Sequence, residues 1–316
     1  MSQIDANAQL FQDLHGKLYL PGYCGLNNVK ANDYVNVVVQ VLAHIVPLRD
    51  SFLLNSKSGE VTAAWIELLR KLWNPNRFKA QNSPHEFLQT INQVSAKRFS
   101  LTAQADPGDF LTWFLNALEA DNPGCLNEFL RGSVRIESVK LDRDGAVSSS
   151  SAEEKSFLHL SLDLPPKPLF SDPKAPAAVP QVSLAALLTK FDGGTPVFKQ
   201  SSAFTYKLTR LPQFLLLYVT RRVKGRFGIE WNDTLVRFNA DELIELPSYS
   251  NVKYRLMANI YCRRSESEKD KKSFGVHLRH RASGKWLEME NLQVKETESQ
   301  LLFMAESLIQ LWERAY

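Results

Sequence analysis

The period of the apolar residues changes once along this chain, near Cys125, and that change restricts the fold more than any single motif does. Before it, apolar side chains recur at helical spacing. Val37, Val38, Val41, Leu42, Ile45 and Val46 mark one broad face between Tyr34 and Leu54. Their β-branched crowding suits a buried helix rather than an exposed one. Pro47 ends that helix or opens a second short one. AAWIELLRKLW (63–73) and SPHEFLQTINQVSAKRF (83–99) read as two more, the latter with Ser83 as N-cap, Pro84 at the first position and Glu86 three residues on. DPGDFLTWFLNALEAD (106–121) is another, capped by Asp106 with Pro107 in its first turn. Beyond Cys125 the period shortens. SVRIESVKL (133–141), FLHLSLDL (157–164), FTYKLTRL (204–211), QFLLLYVT (213–220) and NVKYRLMANIYC (251–262) have strand character. SFGVHLRHR and KWLEME continue it to residue 290. Two connections, 142–156 and the proline-rich 165–180, read as mobile linkers. A stripe at Leu301, Met304, Ala305, Leu308, Ile309 and Trp312 predicts a closing helix from Ser299 to Arg314. Helices first and a mainly antiparallel sheet second make the fold class α+β.

A chain of 316 residues can bury a sizeable core as one large domain or two small ones. The excess of bases over acids, 38 − 34 = 4, does not argue for a dedicated nucleic-acid surface, though the basic stretches TRRVKGR (220–226) and KDKKS (269–273) keep a local contact open. Cys24, Cys125 and Cys262 are odd in number and widely spaced, which speaks against a disulfide framework and for a reducing compartment. The sequence holds no apolar run of the roughly 18 residues a membrane span needs. Its first residues lack the charged and apolar regions of a secretory signal, so an intracellular protein is expected.

The stretch GLNNVKANDYVNVVVQ (25–40) reads as a loop running into a helix, with Asp33 at the junction. It resembles the first box of the ubiquitin-specific proteases, papain-like cysteine proteases, which reads G-L-x-N-x-G-N-T-C-Y-x-N-S-x-x-Q. Five later stretches are similar to that family's other boxes in the same order. They are Gln104-Ala-Asp106-Pro-Gly-Asp109-Phe110-Leu111, FLHLSLDLP, LPQFLLLYVTRR, the run from Lys272 to Leu278, and the run from Trp286 to Asn291. Six ordered boxes between about residues 22 and 294 are far more specific than any one of them. The resemblance implies a papain-like fold with a helical thumb at about 25–122, antiparallel fingers and palm at about 123–298 and a C-terminal helix at 299–314, after an N-terminal extension at 1–20.

Through the same resemblance, the nucleophilic cysteine corresponds to Asp33, the general-base histidine to Ser273 and the histidine-orienting acid to Glu290. A thiolate at a helix N-terminus attacks a carbonyl, whereas a carboxylate is a poor nucleophile towards an amide and a serine hydroxyl takes no proton at neutral pH. Asn28 matches the oxyanion-hole side chain, which stabilises a transition state only when something attacks. The resemblance therefore implies a pseudo-enzyme. Asp33 is expected to serve as an N-cap contributing roughly 0.5–2 kcal/mol, and Ser273 as a loop-to-strand residue. His277 and His280 are expected to face a partner or line the core edge, and Cys24 to be a small packing residue. Family members carry two C-x-x-C pairs that hold structural zinc. This chain has none, so no metal and no cofactor are expected.

One branch of the family shares the aspartate, N-N-x-K-A-N-D-Y and K-W-x-E. It is the splicing-associated, catalytically inactive branch linked to the spliceosomal tri-snRNP. That likeness implies a nuclear scaffold in pre-mRNA splicing with snRNP proteins as partners. It leaves direct RNA contact open, and the alternatives are a module that binds ubiquitin or a ubiquitin-like protein weakly without cutting, or a residual deubiquitinase.

Overall fold

The computed structural model describes residues 9–54, 59–76, 81–141, 147–166, 179–199, 202–225, 228–264 and 272–315. A short hairpin of β1 (Phe11–Gln12) and β2 (Leu18–Tyr19) precedes five helices: α1 (Asp33–Ala43), α2 (Val46–Leu54), α3 (Glu60–Trp73), α4 (His85–Val94) and α5 (Pro107–Asp121). Then come β3 (Gly132–Leu141), β4 (Val147–Phe157), β5 (Leu160–Asp163), β6 (Gln181–Ser183), α6 (Leu184–Leu188), β7 (Val197–Lys199), β8 (Ser202–Arg210), β9 (Phe214–Thr220), β10 (Arg222–Gly225) and β11 (Gly228–Trp231). The chain closes with β12 (Leu235–Arg237), β13 (Leu243–Leu246), β14 (Tyr249–Arg264), β15 (Lys272–Arg279), β16 (Trp286–Glu290), β17 (Gln293–Thr297) and β18 (Glu306–Ala315). The α+β order expected from the sequence is the order found. Among the described residues no single helix is long and apolar enough to cross a membrane.

The chain divides into two compact units, 1–127 with 257–309, and 128–256 with 310–316. In the first unit every residue of α1 is buried, which lets five valines sit in a helix despite their modest propensity. Pro47 lies in the first turn of α2, and the two helices meet at 90°. Trp65 of α3, Phe87 of α4 and Phe114 of α5 meet at ring-centroid distances of 5.4–6.1 Å. Phe110 stacks on Phe114 at 5.5 Å, so the apolar stripe of α5 is aromatic-rich where it enters the core. Asp106 caps α5 as expected, accepting from the Gly108 N–H at 2.8 Å. Strands β17, β16, β15 and the end of β14 lie side by side in that order, all antiparallel, with β15 against α1.

In the second unit β4, β3, β8 and β7 form an antiparallel sheet in that order. Strand β9, whose residues Phe214 to Leu217 are fully buried, pairs in parallel with β5. Arg221 is completely buried and donates through Nη1 to the carbonyls of Asn232 and Thr234, both at 2.9 Å.

Four expectations change. Residues 147–157 are not a linker but strand β4, paired with β3 from Gly132↔Phe157 to Leu141↔Val147. Its serines and charges misled because it is an edge strand whose side chains at 149–156 stay exposed, so it needs no apolar alternation. Of the two proposed linkers, 142–146 and 167–178 lie outside the described residues. The closing helix is absent: Ser299–Met304 is a 3₁₀ turn and Glu306–Ala315 is β18. Leu301 and Met304 are exposed by 50% and 61%, while Ser307 to Trp312 is a continuous buried run. A strand buried on both faces shows no period of two, and chance spacing imitated a helix. The third change concerns Ser83. The Pro84 carbonyl accepts from the Leu88 N–H at 2.9 Å, so Pro84 occupies the cap position and Ser83 stands outside it.

Candidate functional site

The fourth change lies at the α1 terminus. The Asn32 carbonyl accepts from the Val35 and Asn36 N–H groups at 3.0 Å, which makes Asn32 the cap residue and Asp33 the first residue inside the helix. Asp33 is therefore not the N-cap. The Asn32 side chain accepts from Val29 N–H at 2.7 Å and donates to Asn36 Oδ1 and to the Asn27 carbonyl at 3.0 and 3.2 Å. Leu26 N–H donates to the Asn291 carbonyl at 2.9 Å and Asn27 N–H to that of Asn82 at 2.9 Å. Gly25 has the Leu292 Cα where a Cβ would lie, 2.6 Å away, so only glycine lets the loop approach so closely. The asparagine-rich loop is thus stapled before the helix begins.

Asp33 is 3% exposed, and its carboxylate is an acceptor for three segments. Oδ1 accepts from Tyr34 N–H at 3.0 Å, and Oδ2 accepts from Phe274 N–H at 3.1 Å. Gln104 Nε2 donates to both oxygens at 2.9 and 2.8 Å and to the Lys272 carbonyl at 3.0 Å. Burial pushes the Asp33 carboxyl above its ordinary pKa, and the bonds from Gln104, Phe274 and Tyr34 oppose that rise. A carboxylate so engaged ties α1, the segment at 104 and the start of β15 together.

Ser273 is half-buried at the second position of β15, opposite Arg263 of β14. The group that meets Asp33 is the backbone N–H of its neighbour Phe274. Glu290 ends β16, and Asn291 holds the following turn with a φ of +54°, a left-handed conformation that asparagine tolerates. Glu290 Oε2 accepts from Arg263 Nη1 at 2.8 Å, and Glu288 Oε1 accepts from Arg263 Nη2 at 2.9 Å. Glu288 also accepts from the Tyr261 hydroxyl at 2.5 Å and pairs with Lys295 at 2.9 Å. Burial alone would raise the Glu288 carboxyl, but the Tyr261 and Lys295 bonds outweigh it and the net direction is down.

Asn28 spends its side-chain oxygen on the Asn32 N–H at 3.0 Å. It lines, with Asn27, Arg263, Glu290, Asn291 and Gln293, an open polar cleft of about 650 Å³. His277 does not face outward: it is 5% exposed, stacks on Tyr261 at 4.5 Å, and burial lowers its pKa to about 4. His280, also buried, packs edge-on against Tyr23 at 4.8 Å. Cys24 is buried and donates to the Leu20 carbonyl at 3.1 Å, a packing residue. All three cysteines are free thiols. Within TRRVKGR, Arg221 is buried and unavailable to any partner, and residue 226 and residues 269–271 of KDKKS lie outside the described residues.

Asp33, Gln104, Ser273, Glu290 and Asn28 all belong to the first unit, and sequence reasoning assigned four of the five. Gln104 stood inside a quoted motif without a role. Arg263, Glu288 and Tyr261 carried no local signal, because their meeting depends on cross-strand register.

A family profile described as UCH, ubiquitin carboxyl-terminal hydrolase, matches residues 24–316. Ubiquitin carboxyl-terminal hydrolase 39 of Mus musculus is 35% identical over 357 residues, covering 99% of this chain and 63% of that protein. The probable mRNA-splicing protein ubp10 of Schizosaccharomyces pombe is 33% identical, over 100% of this chain and 69% of its own length. A solved structure described as that of an essential yeast splicing factor superposes with a TM-score of 0.80 at 29% identity, covering all of this chain and 75% of that one. The chain thus spans somewhat less than two thirds of the mouse relative's length. With this profile match and these full-chain likenesses, the chain belongs to the ubiquitin carboxyl-terminal hydrolase family.

Proposed function

We propose that this chain is a catalytically inactive, ubiquitin-specific-protease-like scaffold that acts in the nucleus in pre-mRNA splicing, through protein–protein contacts with snRNP components. The observation that carries the reading is the Asp33 carboxylate. At the position read as that of the nucleophile stands an acceptor bonded to Gln104, Phe274 and Tyr34. Such a group can neither attack an amide nor be activated by losing a proton at neutral pH. Ser273, read as the base position, offers a hydroxyl where a proton acceptor is required. The elements around these two positions are well packed, with α1 wholly buried and β15 paired on both edges, which is what a protein kept for its surface requires. The splicing role is drawn from relatives described as splicing proteins, and a place in the tri-snRNP is the finer form of the same proposal.

The catalytic half of the reading is tested with a ubiquitin C-terminal fluorogenic amide. No turnover above background is expected, and turnover abolished by Asp33→Ala would overturn it. The splicing half is tested by affinity capture under splicing conditions, where recovery of no snRNP protein counts against it. Titration of labelled ubiquitin, followed by NMR, separates the scaffold from a non-cleaving ubiquitin reader.

A further inference from the structure

We infer that Arg263 is a third and separate block on catalysis, because its guanidinium holds Glu290 in the place where an imidazole at position 273 would have to sit. This rests on the assignment of Ser273 and Glu290 proposed above. Arg263 and Ser273 are cross-strand partners in the β14–β15 ladder, and paired side chains leave the same face of a sheet. With strand period two, Ser273, Gly275 and His277 share that face with Arg263 and Tyr261. His277 pairs with Glu288, which places Glu288 and Glu290 of β16 on it too. The side chain that reaches Glu290 across this face is Arg263, at 2.8 Å, and the second arm of the same fork holds Glu288 at 2.9 Å.

A guanidinium has five donors and no acceptor, and it does not release its proton in this pH range. It can fill the space of a general base but cannot act as one. Its seat is built. The Tyr261 ring lies 5.7 Å from the Arg263 Cζ, and the Tyr261 hydroxyl fixes Glu288. Gly275 makes room for Tyr261, since a Cβ there would overlap the Tyr261 hydroxyl. Glu288 has Tyr261 and Lys295 besides the arginine, whereas the ion pair recorded for Glu290 is with Arg263. Removing the guanidinium therefore changes Glu290 most.

The test compares Ser273→His with Ser273→His/Arg263→Gln, following the introduced imidazole by NMR titration. Beside the guanidinium, with Glu290 occupied, the imidazole titrates at or below its ordinary value of about 6.5. With Arg263 removed, Glu290 is free to accept from the ring, and the titration moves up by about one unit or more. Identical titrations in the two proteins would overturn the inference. Arg263→Gln in the parent chain gives an independent reading that needs no second substitution. The Glu290 side-chain carboxyl resonance should shift once the guanidinium 2.8 Å away is gone, and an unchanged resonance counts against the proposal. Arg263 is 55% exposed, so this variant is expected to fold. Turnover of the fluorogenic amide by Asp33→Cys/Ser273→His with Arg263 intact would also defeat the inference while leaving the inactive reading of the parent chain standing. Turnover by the parent chain would defeat that reading instead.

Discussion

Replacing Asp33 separates the two things its carboxylate does, which are to accept hydrogen bonds and to carry a buried charge. Asp33→Ala leaves the N–H groups of Phe274 and Tyr34, both buried, without the acceptor they now have. Orphaning a buried donor costs about 1–3 kcal/mol. Gln104 keeps the Lys272 carbonyl and contributes less to the loss. Against these losses stands relief from holding a carboxylate where burial disfavours its charge. The balance is a destabilisation of about 2 kcal/mol, equivalent to a fall in Tm of about 3 °C. Asp33→Asn retains one oxygen but turns an amide group towards the donors of Gln104 or Phe274, so it too should destabilise, by about 1 kcal/mol.

The pH dependence carries the sharper test. Burial raises the native pKa of Asp33 above its unfolded value, so the native state binds this proton more tightly than the unfolded chain does. Stability from this group is then fully present below the unfolded pKa and declines as pH rises through the native pKa. Asp33→Asn has no such proton. The gap in Tm between parent and variant should narrow from about pH 4 upward and become flat above the native pKa. Thermal unfolding followed by circular dichroism at half-unit steps measures it. A gap that widens with pH would mean the hydrogen bonds outweigh burial, and an unchanged Tm for Asp33→Ala would refute the donor accounting.

Other perturbations read other parts of the same structure. His277, buried and held to about 4, costs the protein stability as pH falls from about 6.5 towards 4, by about 3 kcal/mol at most; NMR should find its ring neutral at pH 5, and titration near 6.5 would refute the burial. Gly275→Ala should dislodge Tyr261 and lower Tm by several degrees, and a variant as stable as the parent would show that the strands can shift apart. Phe114→Ala empties the meeting point of Trp65, Phe87 and Phe110 and should cost about 3–5 kcal/mol in chemical denaturation. Asp106→Ala removes the cap on α5, for about 1 kcal/mol, and no change would show that Pro107 alone fixes the helix start.

The helices were legible where an apolar stripe coincided with a start signal. Asp106 followed by Pro107 gave α5 to the residue, because both act locally. Asn32 and Pro84 displaced Asp33 and Ser83 from the cap positions for one reason. Which carbonyl accepts the first helical bond depends on how the preceding loop is held, and at Asn32 that loop is held by distant carbonyls such as those of Asn82 and Asn291. Strands with alternation were legible, whereas β4 and β18 were not. One has every side chain in water at 149–156 and the other is buried on both faces, and neither environment imposes a period of two.

The site shows the same division more sharply. Asp33, Ser273, Glu290 and Asn28 could be placed because each sits in an ordered run of motif residues. The groups that determine what those residues now do, Gln104 and Arg263, could not, since their roles arise from approaches across 71 and 27 residues of sequence. A substitution at Asp33 or Ser273 explains why a nucleophile and a base are missing. It does not explain why both carboxylates are tied into the structure. Gln104 donates to Asp33 and Arg263 pairs with Glu290, so each acidic position is held by a different partner from a different segment. Restoring two side chains would therefore leave Arg263 on Glu290 in place. The inactivity proposed here belongs to the hydrogen-bonded arrangement of the whole site rather than to the two substitutions alone.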